Sequence, residues 1–211
     1  MAEKKKKLML TTPTGRAKYP WLNKPNTKFD SNGLYCVTLV LDYETAKPLM
    51  ETIDQYNDQS YRETKEKLIS EGKAGLAKTL KKADSPYSNE VDENGDETGN
   101  VEFKFKHDAK FVSKKNGNTF EFKPDLFNNK GERDESPIFG GSLIKVGWWP
   151  NLYYVAAQKS CGVSLKLSGV QVIEASQGGG SRDANYYGFR NEAPADDDNN
   201  TGVNTDDDSE F

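Results

Sequence analysis

Lys104 and Lys106 stand two apart in the run FKFK. Lys145 stands in LIKV, and Trp149, Tyr153 and Tyr154 follow it closely. Nearer the start, Arg16, Lys18 and Lys24 alternate loosely with Tyr19 and Trp21. Ammonium groups interleaved with flat rings suit an unpaired nucleic-acid strand: phosphates meet the cations and bases stack on the rings, at about 1–3 kcal/mol per base. The candidate binding residues are therefore Lys18, Trp21, Lys104, Lys106, Lys145, Trp149, Tyr153 and Tyr154. Of the rings at 19 and 21, one is expected to be buried and one available. None of these residues does bond chemistry, so no catalytic residue, metal or cofactor is assigned.

The remaining reactive side chains offer little to an enzyme. A metal-dependent nuclease needs carboxylates converging on its ions. Here they crowd loops and the C-terminal end. His107 is the single histidine and suits a surface strand position, and no Walker loop is present. Asp92, Asn94 and Asp96 alternate as in a calcium loop, but the sixth and twelfth positions carry Glu97 and Phe103 instead of glycine and glutamate. Residues 89–100 therefore read as a mobile acidic loop. Cys36 and Cys161 form no CxxC pair and read as reduced, partly buried thiols. No apolar run is long enough to span a membrane, and the first ten residues lack a signal-peptide core. A soluble intracellular protein is expected.

Charge is unevenly placed. The 211 residues carry a net −4, yet residues 192–211 hold eight carboxylates and no Lys or Arg. The remaining 29 basic and 25 acidic residues give +4. A basic body tied to an acidic tail points to a polyanionic partner and a competing internal polyanion. Low hydrophobicity and like charge predict disorder over 192–211. Residues 177–191 read as a glycine-rich aromatic linker, and 1–176 as the folded domain. Lys4, Lys5, Lys6 and Lys7 add a basic run at the start.

Strands must position the lysines and rings. Residues 143–149 and 163–173 alternate apolar and polar, with Ile144, Val146 and Trp148 on one face and Leu143, Lys145 and Gly147 on the other. The aromatic segment between these runs reads as a loop. Residues 8–12 suggest a first strand, and 34–42 form a strand apolar on both faces. From about Thr45 the period becomes helical, with Leu49, Ile53, Tyr56, Ser60, Thr64 and Leu68 on one stripe. Pro48 is placed in the first turn, and residues 74–82 suggest a second short helix. Residues 101–123 read as a hairpin turning at Asn116-Gly117, with its phenylalanines in the core. Six strand-like runs with one inserted amphipathic helix fit a mainly β, OB-type Greek-key barrel, with a sandwich as the alternative.

The chain resembles the single-stranded DNA-binding replication proteins of tailed phages, OB-fold proteins with an acidic tail ending in phenylalanine. The resemblance rests on FKFKHDAKF, on GGSLIKV, on GVSLKLSGVQVIE and on the aspartate-rich end closing with Glu210-Phe211. It implies that Lys104, Lys106 and Lys145 face DNA, and it places the family's aromatic loop near Trp149 to Tyr154. It also implies a sequence-nonspecific protein that coats and protects single-stranded DNA in phage replication, recombination and repair, in the host cell cytoplasm. Asp206, Asp207, Asp208, Glu210 and Phe211 would regulate DNA access and recruit the phage DNA polymerase and helicase–primase. The resemblance further implies a homodimer. Two rival readings remain: an RNA-binding OB-fold protein, and an interaction protein whose acidic tail mimics DNA.

Overall fold

The computed structural model describes residues 8–28, 30–113 and 117–177. All belong to one unit bounded at Gly179. The run from Lys4 to Lys7, Asn116, residues 178–191 of the linker and the whole acidic tail lie outside the described residues. In chain order the elements are β1 (Leu10–Thr11), β2 (Gly15–Asn26), β3 (Leu34–Asp42), α1 (Tyr43–Ser70), α2 (Ala74–Thr79), β4 (Lys81–Lys82), β5 (Tyr87–Val91), β6 (Glu97–Asp108), β7 (Lys110–Val112), β8 (Thr119–Glu121), β9 (Asp125–Phe127), β10 (Leu143–Val155) and β11 (Ser160–Glu174).

Five of these strands close into a barrel in the order β2, β3, β6, β11, β10. The ring is completed by Leu143 and Ile144 of β10 pairing with Arg16 and Gly15 of β2. Only the β6–β11 step in that ring is parallel. This is the OB arrangement expected, and the β10–β2 closure excludes the sandwich. At that seam a Cβ on residue 15 would lie 2.7 Å from the Val40 carbonyl oxygen, so the close approach needs glycine. Val37, Leu39, Phe103, Phe105, Ile144, Val146, Trp148, Leu165 and Leu167 fill the interior. Trp148 meets Phe105 edge-on at 5.9 Å between ring centroids. The alternation read in residues 143–149 and 163–173 thus has its apolar face inside.

Helix α1 begins at Asp42, whose carboxylate accepts the Thr45 N–H at 3.0 Å. It starts two residues earlier than expected, so Pro48 falls beyond the first turn. Pro48 brings no N–H, which leaves the carbonyl one turn before it without its helical donor. Ala46, Leu49 and Ile53 join the barrel core. Farther along, Leu68 packs with Ala77, Leu80 and Cys161 in a second cluster, with Tyr61 and Tyr154 against it. Among the described residues no helix is long and apolar enough to cross a membrane. Both cysteines are unpaired thiols, Cys161 buried and Cys36 half-buried.

Three segments differ from the sequence reading. Residues 150–155 are not a loop: β10 runs on to Val155, paired with β11 down to Ser160, and a 3₁₀ turn at Ala156–Gln158 reverses the chain. Residues 89–100 are not a mobile loop either. Their ends belong to β5 and β6, which pair as a hairpin. Its turn is fixed by Asp92, which accepts the N–H groups of Asn94 at 2.8 Å and Asp96 at 3.0 Å, so the first carboxylate of the alternating set serves an Asx-type turn. Finally, β7 and β8 form a separate two-stranded sheet. Ser113 N–H bonds the Asn118 carbonyl at 2.8 Å, and the expected turn at Asn116-Gly117 falls partly outside the described residues. Phe111 and Phe120 of that hairpin are 44% and 45% exposed, outside the core where they were expected.

Candidate nucleic-acid interface

The outer face of the barrel is built by the same alternation that fills the interior. Cross-strand pairing sets Trp21 opposite Cys36, Cys36 opposite Lys106, Lys106 beside Lys166, and Lys166 opposite Trp149. Five strands at about 4.8 Å spacing make that row about 19 Å long. A ring stands at each end and two ammonium groups stand between. In the next row Lys18 lies opposite Thr38 and Thr38 opposite Lys104. Lys104 and Lys106 are exposed and make no ion pair with any described residue. With Lys166, Asn151, Tyr153, Ser164 and Pro86 they line an open depression of about 460 Å³.

Trp21 reaches this face through a bulge. The β2–β3 register shifts between Lys18 and Trp21. Tyr19 there takes φ 51°, a left-handed conformation that is strained for a ring-bearing residue preceding proline. The inserted residue lets Lys18 and Trp21, three apart, share one face. It also throws the Tyr19 ring out to 72% exposure, while Trp21 is 44% exposed. The expectation of one buried and one available ring is corrected: both are available, because Ala17 and Leu22 take the inward positions.

Tyr153 and Tyr154 separate because neighbours on a strand face opposite ways. Tyr153 borders the depression, and its ring lies over Gly162. A Cβ at position 162 would stand 2.8 Å from the Tyr153 hydroxyl. Tyr154 packs instead with Leu68, Ala77, Leu80 and Cys161 beneath the helices, so its assignment to the interface is corrected. Lys145 shares the outer face of β10 but sits four residues from Trp149, about 13 Å along the strand. It lines a different depression with Asp125, Phe127 and Gln171. The structure therefore groups Lys104 and Lys106 and does not bring Lys145 into their depression.

Lys18 is on the right face but already has partners. Its ammonium contacts Glu102 at 2.5 Å and Glu90 at 3.2 Å. The Glu102 hydrogen bond is the chief cause of its raised pKa, against the opposing effect of burial. Glu90 is 5% exposed and accepts hydrogen bonds from Arg16 and Lys18 and, through its other oxygen, from Thr98 and Asn100. Burial pushes its pKa up, but the bonds from Asn100, Arg16, Thr98 and Lys18 outweigh it and hold it at about 2. Burial also raises the Cys36 thiol, and the Lys106 charge beside it pulls the other way.

Several interface residues escaped the sequence reading. Lys166, paired with Asp108 at 3.2 Å, lies centrally. Its place in LKL signalled an outward lysine but not which neighbours it would meet. Tyr19 was hidden by its bulge. His107 stacks on Phe122 at 3.7 Å and meets Trp149 edge-on at 6.4 Å, tying the Trp149 end of the row to the β7–β8 hairpin. Asp206, Asp207, Asp208, Glu210 and Phe211 lie outside the described residues.

Comparison with known proteins gives a consistent result. Residues 14–175 match the family described as single-stranded DNA-binding protein, bacteriophage T7. The single-stranded DNA-binding protein of Enterobacteria phage T3 is 29% identical over 192 residues, covering 84% of this chain and 81% of the relative. The crystal structure of gp2.5, a single-stranded DNA-binding protein encoded by bacteriophage T7, superposes with a TM-score of 0.66 at 24% identity, over 90% of this chain and 98% of that one. The single-stranded DNA-binding protein of bacteriophage Enc34, solved with single-stranded DNA, gives 0.55 at 20% identity, over 83% and 98%.

Proposed function

The chain belongs to the bacteriophage T7 single-stranded DNA-binding protein family, and on that premise we propose that it binds single-stranded DNA without sequence preference across the outer face of its barrel. The observation that carries the reading is the grouping of Lys104 and Lys106 with Trp21, Trp149 and Tyr153 on one continuous strand surface. Phosphates settle on the ammonium groups and release counterions, while bases stack on the rings. Every base has a π face, so stacking does not discriminate sequence. A duplex keeps its bases paired and stacked, out of reach of the rings. Nothing in the site selects for a 2′-hydroxyl, so DNA is preferred over RNA here on family membership.

The finer role goes with the family. We propose that the protein coats and protects single-stranded DNA during phage replication, recombination and repair in the host cell cytoplasm. Residues 192–211, with their eight carboxylates, compete with DNA for the basic face and recruit the replicative polymerase and helicase–primase once displaced. The protein acts by binding rather than by bond chemistry, and a homodimer fits the same proposal.

Titration of oligo-dT at several salt concentrations tests the interface. K104Q/K106Q should weaken binding and reduce the slope of log affinity against log salt by about 1.4, the loss expected for two single-strand phosphate contacts. An unchanged slope would remove these lysines from the interface. Failure of the wild-type protein to bind oligo-dT at low salt would overturn the function itself.

A further inference from the structure

We infer that the stacked pair Phe111–Phe120 on the β7–β8 hairpin is a base-stacking platform that carries the single strand beyond the barrel face; the inference rests on the function proposed above. The two rings are cross-strand partners, with centroids 5.4 Å apart and planes 18° from parallel. They are 44% and 45% exposed, and the hairpin's sheet pairs only with itself. They therefore neither fill the core nor help close the barrel. Two half-exposed phenylalanines forgo part of the burial that normally stabilises such residues.

Their neighbours supply the direction. Phe111 meets His107 edge-on at 6.3 Å, and His107 meets Trp149 at 6.4 Å. Trp149 ends the row that holds Lys166 and Lys106. A file of four rings, joined by three contacts, thus leads from the proposed groove onto the hairpin, and its far member, Phe120, is half-exposed. A flat aromatic base fits the end of this file, because it continues the one parallel stack there, Phe111 on Phe120. A second copy of the chain fits it less well. Phe111, Val112 and Phe120 together expose roughly 300 Å² of side chain, against about 800 Å² per partner in a stable interface.

The test uses the full chain and two lengths of oligo-dT, of about 5 and about 15 nucleotides, spanning the site sizes of OB folds. F111A/F120A should bind the short oligonucleotide as the wild type does and lose about 5- to 150-fold on the long one, equivalent to one stacked base. F111L/F120L keeps the apolar packing and removes the π faces, so it should show the same loss; it also decides the matter if the alanine variant melts early by circular dichroism. Wild-type affinity for the long oligonucleotide in the leucine variant overturns the platform, as does an equal loss at both lengths. A changed sedimentation coefficient with unchanged DNA affinity assigns the pair to a second copy and overturns it too. A wild-type protein that binds neither length overturns the proposed function along with the platform, whereas the preceding outcomes leave that function standing.

Discussion

The three tryptophans have different environments, and strand alternation explains why. Trp148 is fully buried against Phe105, and its indole N–H has no acceptor among the described residues. Trp149, the next residue, faces outward opposite Lys166, and Trp21 is 44% exposed at the other end of the same row. Only the outward pair can stack on a base. Oligo-dT should therefore quench the emission of W148F by at least the wild-type fraction, whereas W21F/W149F, left with Trp148 alone, should show almost no quenching. Steady-state fluorescence at low salt measures both. Wild-type quenching in W21F/W149F would mean that the emission change reports a conformational shift in the core and not stacking. The same alternation decides between Tyr153 and Tyr154. Neighbouring tyrosines in a presumed loop look equivalent in sequence, but the strand they occupy sends one to the depression and the other under the helices.

Among the elements, the β5–β6 hairpin has the least expected role. Glu90 points from β5 onto the outer face and gathers Arg16 and Lys18 of β2 with Thr98 and Asn100 of β6. The hairpin thereby holds β2 against its neighbours and neutralises two cations, leaving Lys104 and Lys106 as the exposed cations of β6. With its folded pKa held at about 2, below the ordinary carboxylate value of 4.5, Glu90 contributes stability that is full above about pH 4.5 and lost as pH falls toward 2. E90Q should cost about 1–3 kcal/mol at pH 7, the worth of hydrogen bonds to a charged group. Its deficit in melting temperature relative to wild type should shrink as the pH drops from about 5 to about 2. Thermal melts across that range give the answer, and a deficit independent of pH would show that the carboxylate's charge is not what holds the hairpin. This element was also hard to read from sequence. The only buried side chain of β5, Glu90, is a carboxylate, so alternation in that strand carries no apolar signal. Residues 150–155 were obscured for the opposite reason: Leu152, Tyr153, Tyr154 and Val155 offer apolar groups to both faces, because helices cover one side and the depression lies on the other. β3, β6 and most of β10 and β11 were legible because their inward faces are apolar and the barrel interior imposes a period of two. Phe111 and Phe120 were assigned to the core because sequence alone does not distinguish an exposed ring pair from a buried one.

At the scale of the whole molecule, charge bookkeeping changes once pairing is known. Outside residues 192–211 the sequence carries a net +4, but Arg16, Lys18, Lys110, Lys123 and Lys166 are each matched to a nearby carboxylate. Lys104 and Lys106, which make no ion pair with a described residue, present their charge on the face where the rings also lie. Eight added carboxylates reverse the sign of the chain's net charge, from +4 to −4, and a DNA strand approaching the full-length protein meets that reversed field. Removing residues 192–211 should raise the association rate for oligo-dT by about ten-fold at low ionic strength, as steering by a favourable field does. The gain should fade toward about 1 M salt, where the screening length is about 3 Å. Stopped-flow fluorescence on the two proteins, with a third whose tail carboxylates are all amides, separates the possible causes. If the amide-tailed protein behaves as the truncation does, charge alone governs access to the face. If it behaves as the full-length protein does, tail bulk blocks the groove and electrostatic competition is wrong. Equal rates in all three would reduce the tail to a solubility device.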